Sequence, residues 1–104
     1  MKRLPVIVPA EVKEQIRAQV RYIARDSVDN ALAWEDRVRA ALDGLGDAHG
    51  HAVDEDASRR VGQQLRRTVF ERTYLIHYRI NDKPAAVEVV GFRHGARLPR
   101  RGDP

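Results

Sequence analysis

The chain has 104 residues, 42% of them apolar, with no cysteine and a net charge of +4. That length suits one domain, residues 1–104, around a single thin core; the missing cysteines exclude disulfide and thiolate chemistry and favour a cytoplasmic setting. The charge is divided: residues 1–57 hold 8 Lys/Arg against 11 Asp/Glu, whereas residues 58–104 hold 11 against 4.

Met1-Lys2-Arg3 opens like a signal peptide, but Pro5 and Pro9 interrupt Leu4 to Ala10, and Glu11 and Lys13 end the apolar stretch. It is too short for a membrane span or a signal's apolar region. Arg3 to Val8 instead reads as a short strand, which Pro5 confines to an edge or a strand start. Pro9 and Glu11 suit a first helical turn, where a missing donor and a negative charge are tolerated. Val12, Ile16, Val20 and Ile23 follow at helical spacing, predicting an apolar stripe on a helix that ends near Arg25. Ser27 suits the N-cap of a second helix, with Ala31, Trp34, Val38, Ala41, Leu42 and Leu45 on its stripe. Gly44 and Gly46 supply its stop. So short a link makes the pair an antiparallel hairpin.

Gly46 to Gly62 shows no periodicity and reads as a mobile surface loop. His49 and His51 stand two apart, with Asp54-Glu55-Asp56 beyond them. Without cysteine or a third well-spaced ligand no metal is expected there, and no cofactor elsewhere. From Gln64 the period becomes two. Arg66, Thr68 and Phe70 alternate with Leu65, Arg67 and Val69; Tyr74, Ile76, Tyr78 and Ile80 form one file, Leu75, His77 and Arg79 the other. Asn81-Asp82-Lys83-Pro84 is a turn, and Ala85 to Phe92 is the last strand. The expected class is α+β: a short N-terminal strand, a helix hairpin, then a three-stranded antiparallel meander, packed on the hairpin by one face and partly open on the other. If Glu71-Arg72 is a two-residue turn, Arg66 faces His77 on the open side; a one-residue slip puts Arg67 there instead. Both registers fit the sequence.

Arg93-His94-Gly95-Ala96-Arg97 follows the last strand. Guanidinium forks favour phosphate or carboxylate, so the basic half points to an anionic partner. Arg66, Arg67, Arg93, His94 and Arg97 are the candidates for a target-binding face. RNA cleavage by 2′-hydroxyl attack would instead ask Arg66, His94 and Arg97 to be catalytic, with Glu71 as a base. Plainer roles exist for the same residues: a histidine that fixes the chain exit, or arginines on an ordinary solvated face.

Taken in order, Tyr22-Ile23-Ala24, Ala31, Trp34, Leu45, Leu65-Arg66, the run Tyr74 to Ile80, Val87-Glu88-Val89 and the Arg93–Arg97 segment resemble the RelE/ParE superfamily of type II toxin–antitoxin toxins. The resemblance implies a βααβββ layout, growth inhibition, and a cognate antitoxin encoded beside the toxin. RelE-like members are ribosome-dependent endoribonucleases; ParE-like members poison DNA gyrase without chemistry of their own. After Arg97 this chain lacks the tyrosine common in the nucleases, its central strands lack paired lysines, and Gly95 rather than tyrosine follows His94. The resemblance therefore leans to a ParE-like toxin that binds gyrase. An mRNA endoribonuclease at the ribosome and a non-toxic binding module are the alternatives. The antitoxin is expected in the helix-pair groove and on a sheet edge, with no membrane partner. Direct nucleic-acid binding ranks lower, because the aromatics occupy core positions.

Overall fold

A computed structural model describes residues 3–95. The chain runs β1 (Val6–Ile7), α1 (Ala10–Ala24), α2 (Val28–Asp43), a 3-10 turn (Gly44–Gly46), α3 (Glu55–Val61), β2 (Arg66–Phe70), β3 (Tyr74–Asp82) and β4 (Ala85–His94). The four strands form one sheet in the order β1-β4-β3-β2. β2, β3 and β4 make the expected antiparallel meander, and β1 joins the far side of β4 in parallel. Pro5 and Pro9 bracket β1 and keep it to two residues, since neither can donate to a ladder. Its anchor is the Val87 amide, which donates to the Pro5 carbonyl at 2.9 Å.

The hairpin forms where its stripes predict. Ser27 caps α2 by accepting from the Asn30 amide at 3.1 Å. Val12 and Ile16 of α1 and Ala31, Trp34, Val38 and Leu42 of α2 are buried, while Ala41 is only partly so. They pack on Phe70, Tyr74, Ile76, Tyr78, Val87, Val89 and Phe92, which form the inner face of the sheet. Gly46 is a glycine for space: a Cβ there would collide with the Leu4 carbonyl oxygen. The approach lets the Leu4 amide reach the Gly46 carbonyl at 2.9 Å.

Two sequence expectations are corrected, and the register that the sequence leaves open is decided. The stretch 46–62 is not all loop, because Asp54 caps α3 by accepting from Ala57 N at 3.0 Å. Gly62, at φ 82, closes that helix in the left-handed region. Ile80, expected in the buried file, is exposed beyond the hairpin. The β2–β3 register is the slipped one: Phe70 pairs with Tyr74, Arg67 with His77, and Arg66 with Tyr78. Glu71 and Arg72 both sit at positive φ, 51 and 60, and Thr73 N–H closes the turn on Phe70 O at 3.1 Å.

β4 carries one further irregularity. His77 pairs with Gly91 but Tyr78 with Val89, so Val90 is an extra, bulged residue. Beyond it the facing of β4 inverts.

Candidate cationic face

Alternation on each side of the bulge divides the polar residues between two faces. Arg66 lies on the hairpin side with Tyr78, and His94 lies there with Tyr74. Arg67, His77 and Arg93 lie on the outer side, where Arg93 pairs with Leu75. The candidate residues are thus split: His94 is not on the open face expected for it, and of the two open alternatives Arg67, not Arg66, faces that side. Arg97 is outside the described residues.

Arg66 has a structural post. Its Nη1 donates to the His51 carbonyl at 2.6 Å, while the His51 amide and ring meet the Tyr78 hydroxyl. Burial raises the Tyr78 pKa. His49 is likewise engaged locally, with Nδ1 at 3.1 Å from the Leu45 carbonyl. His94 is exposed and stands edge-on to Tyr74, their centroids 5.3 Å apart. Arg66 and His94 flank β3 on different strands and four residues apart, roughly 16 Å at ~3.3 Å per residue and ~4.8 Å per strand. One phosphate cannot span both. Glu71 is taken by Arg37, Oε2 to Nε at 2.6 Å.

The outer face is built differently. Asp54, at the head of α3, accepts from His77 Nε2 at 2.8 Å, tying the helix to β3. The His77 hydrogen bond, then that of the Ala57 amide, holds the Asp54 carboxyl below its usual range, and the charge of Arg67 adds to this. Arg79 and Glu88, cross-strand partners, are joined at 2.7 Å. Arg79 first, then Asn81, lowers the Glu88 pKa. Arg79 is therefore neutralised, and so are half of the other described arginines. Arg3, Arg17, Arg21, Arg37, Arg39 and Arg59 each have a carboxylate at salt-bridge distance. Arg25 lies over the Tyr22 ring. Among the described residues Arg25, Arg60, Arg66, Arg67, Arg72 and Arg93 have no carboxylate at that distance; Arg66 is held by the His51 carbonyl instead, and Arg67 and Arg93 lie on the outer face.

Arg60 is the residue sequence reasoning missed. Residues 46–62 show no periodicity, yet α3 carries Arg60 to one cleft with Arg93 and His77. An acidic start, a basic end and a closing glycine were the legible signal. On the other side of the molecule, an apolar groove of about 370 Å³ runs between α1, α2 and β1, floored by Val6, Val8, Ile16, Val38 and Leu42. No helix among the described residues is long and apolar enough to cross a membrane. A sequence model for a family described as ParE toxin of type II toxin-antitoxin system, parDE, matches residues 6–99. No curated protein matches the chain.

Proposed function

Because the chain belongs to the ParE toxin family of type II toxin–antitoxin systems, we propose that it arrests growth by gripping a protein target, DNA gyrase, with the outer face of its sheet. The observation that carries this reading is the sorting of the arginines. Those of α1 and α2 are matched by acids close at hand, whereas Arg67, Arg93 and the adjoining Arg60 are left for a partner; Arg25, past the end of α1, lies over the Tyr22 ring. Such charges steer encounter and give up little self-pairing when a carboxylate or phosphate arrives. The distance between Arg66 and His94 supports binding over RNA cleavage, since a general acid and its cationic helper must reach the same phosphate. The family implies a cognate antitoxin, and the groove between α1, α2 and β1 suits an amphipathic segment of it. The exposed β1 edge beside the groove suits strand addition.

Induction of the chain without its genetic neighbours tests the proposal, following growth, transcript integrity and DNA-damage signalling together. Purified chain should block gyrase supercoiling, and the paired change Arg67→Ala with Arg93→Ala should relieve the block. Rapid transcript cleavage with undisturbed gyrase would overturn the reading in favour of the nuclease branch. An absence of any growth defect would favour a non-toxic binding module.

A further inference from the structure

We infer that the cleft between α3 and β4 is a pocket for an extended, acidic segment of the protein target that inserts an aliphatic side chain; this rests on the reading above that the chain acts by binding a protein. The cleft holds about 390 Å³ and is walled by Ala57, Val61, Leu65 and Val90, with Arg60 and Arg93 beside them. No carboxylate lines it, and neither arginine has an acid at salt-bridge distance among the described residues. Val61 is 54% exposed and Val90 36%, so aliphatic surface stands in water between two uncompensated cations. A ligand with carboxylates flanking an aliphatic group answers both.

Gly91 makes the room. It pairs with His77 on the outer face, its φ lies outside the left-handed region, and a Cβ added to it would touch nothing within 4 Å. Neither backbone strain nor packing asks for glycine, unlike Gly46. Its missing side chain leaves the cleft open.

The backbone beside the cleft favours a peptide. β1 covers β4 only at Val87 and Glu88, so the edge past Val90 carries no strand. There the Phe92 N–H is met by Oε1 of the exposed Gln15 at 3.2 Å, a place that a peptide carbonyl can take. Nucleic acid fits less well: of the two ring residues that line the cleft, Phe92 is 2% exposed and the His77 side chain 12%, the latter held by Asp54, so neither offers a free face for a base to stack on. The chain's own end, Arg97-Leu98-Pro99-Arg100-Arg101, carries the same sign of charge as the arginines it would have to meet.

Nuclear magnetic resonance titration of the labelled full chain with a blocked heptapeptide of alternating aspartate and leucine tests the inference. Amide shifts are expected at Val61, Gly91 and Phe92. Gly91→Leu should fill the cleft and weaken binding about tenfold or more, and the exposed pair Arg60→Glu with Arg93→Glu should do so independently of any packing effect. Equal binding of a lysine–leucine peptide, shifts confined to the α1–α2 groove, or a single-stranded DNA 12-mer that binds more tightly than the peptide would each overturn it. Growth arrest separates the two proposals. A Gly91→Leu chain that still poisons cells but no longer binds the peptide sinks the cleft alone. Wild-type chain that binds the peptide through the cleft yet arrests nothing sinks the toxin reading alone.

Discussion

Asp54→Ala is expected to release α3 from the sheet, because one carboxylate performs two tasks. Its Oδ1 caps the helix at the Ala57 amide, 3.0 Å away, and its Oδ2 holds His77 Nε2 at 2.8 Å. Loss of an N-cap costs about 1 kcal/mol. Truncation also strands the His77 donor, whose side chain is 12% exposed, for about 1–2 kcal/mol more. The combined loss of about 2–3 kcal/mol corresponds to a fall in Tm of roughly 8–12 °C for a domain of this size. A helix of seven residues is too short to persist without its caps and contacts, so the amides of Ala57 to Val61 should lose exchange protection before the rest. Asp54→Asn separates cap from charge. The asparagine oxygen still caps, and its amide can donate to Nε2 once the imidazole carries its proton on Nδ1, leaving a loss under about 1 kcal/mol. Thermal melts and native-state hydrogen exchange on the three proteins read both effects. Equal Tm and unaltered protection across 57–61 in Asp54→Ala would refute the assignment of α3 as a capped, sheet-tethered helix.

Stability should also respond to acid. Asp54 and Glu88 have pKa values lowered by folding, so their contribution is complete above the unfolded-state values, about 4. It is lost as pH falls through the folded-state values. Melts across this range should fall steeply for the wild type and less so for Asp54→Asn. Arg72→Gly should raise Tm by about 2–4 °C, since it removes a side chain from a left-handed φ of 60 at a gain of roughly 0.5–1 kcal/mol; a lowered Tm would contradict that turn geometry. Gly46→Ala should cost about 1–3 kcal/mol through its collision with the Leu4 carbonyl, read as faster exchange of the Leu4 amide. Arg66→Ala should lower Tm by cutting the bond to the His51 carbonyl while sparing gyrase inhibition, and Arg67→Ala should do the reverse; the opposite pattern would mean that the register is wrong.

The helical half was legible because its signals are redundant. Spacing, cap and stop agree from Pro9 to Gly46, and nearest-neighbour packing decides the outcome. α3 was legible only in part. Seven residues hold too few apolar positions for a period to show. Its stability comes from a histidine on β3 that no local pattern names.

The site was lost to two one-residue irregularities. The β2–β3 turn takes left-handed backbone at Glu71 and Arg72, where no glycine or asparagine announces it. Arg37 of α2, far off in sequence, holds Glu71 at 2.6 Å, a tertiary contact at the turn that no local signal announces. That slip sends Arg67 outward and Arg66 to the His51 carbonyl. The bulge at Val90 does the same to β4. Strict alternation from the buried Val87 and Val89 would put Arg93 on the hairpin side and His94 outside; the extra residue exchanges them. Val90 is as apolar as the valine before it, so nothing in the residue type marks the bulge. The kinds of residue that make a cationic face could therefore be read from the chain, but which arginine reaches it depends on contacts between elements that the sequence keeps apart.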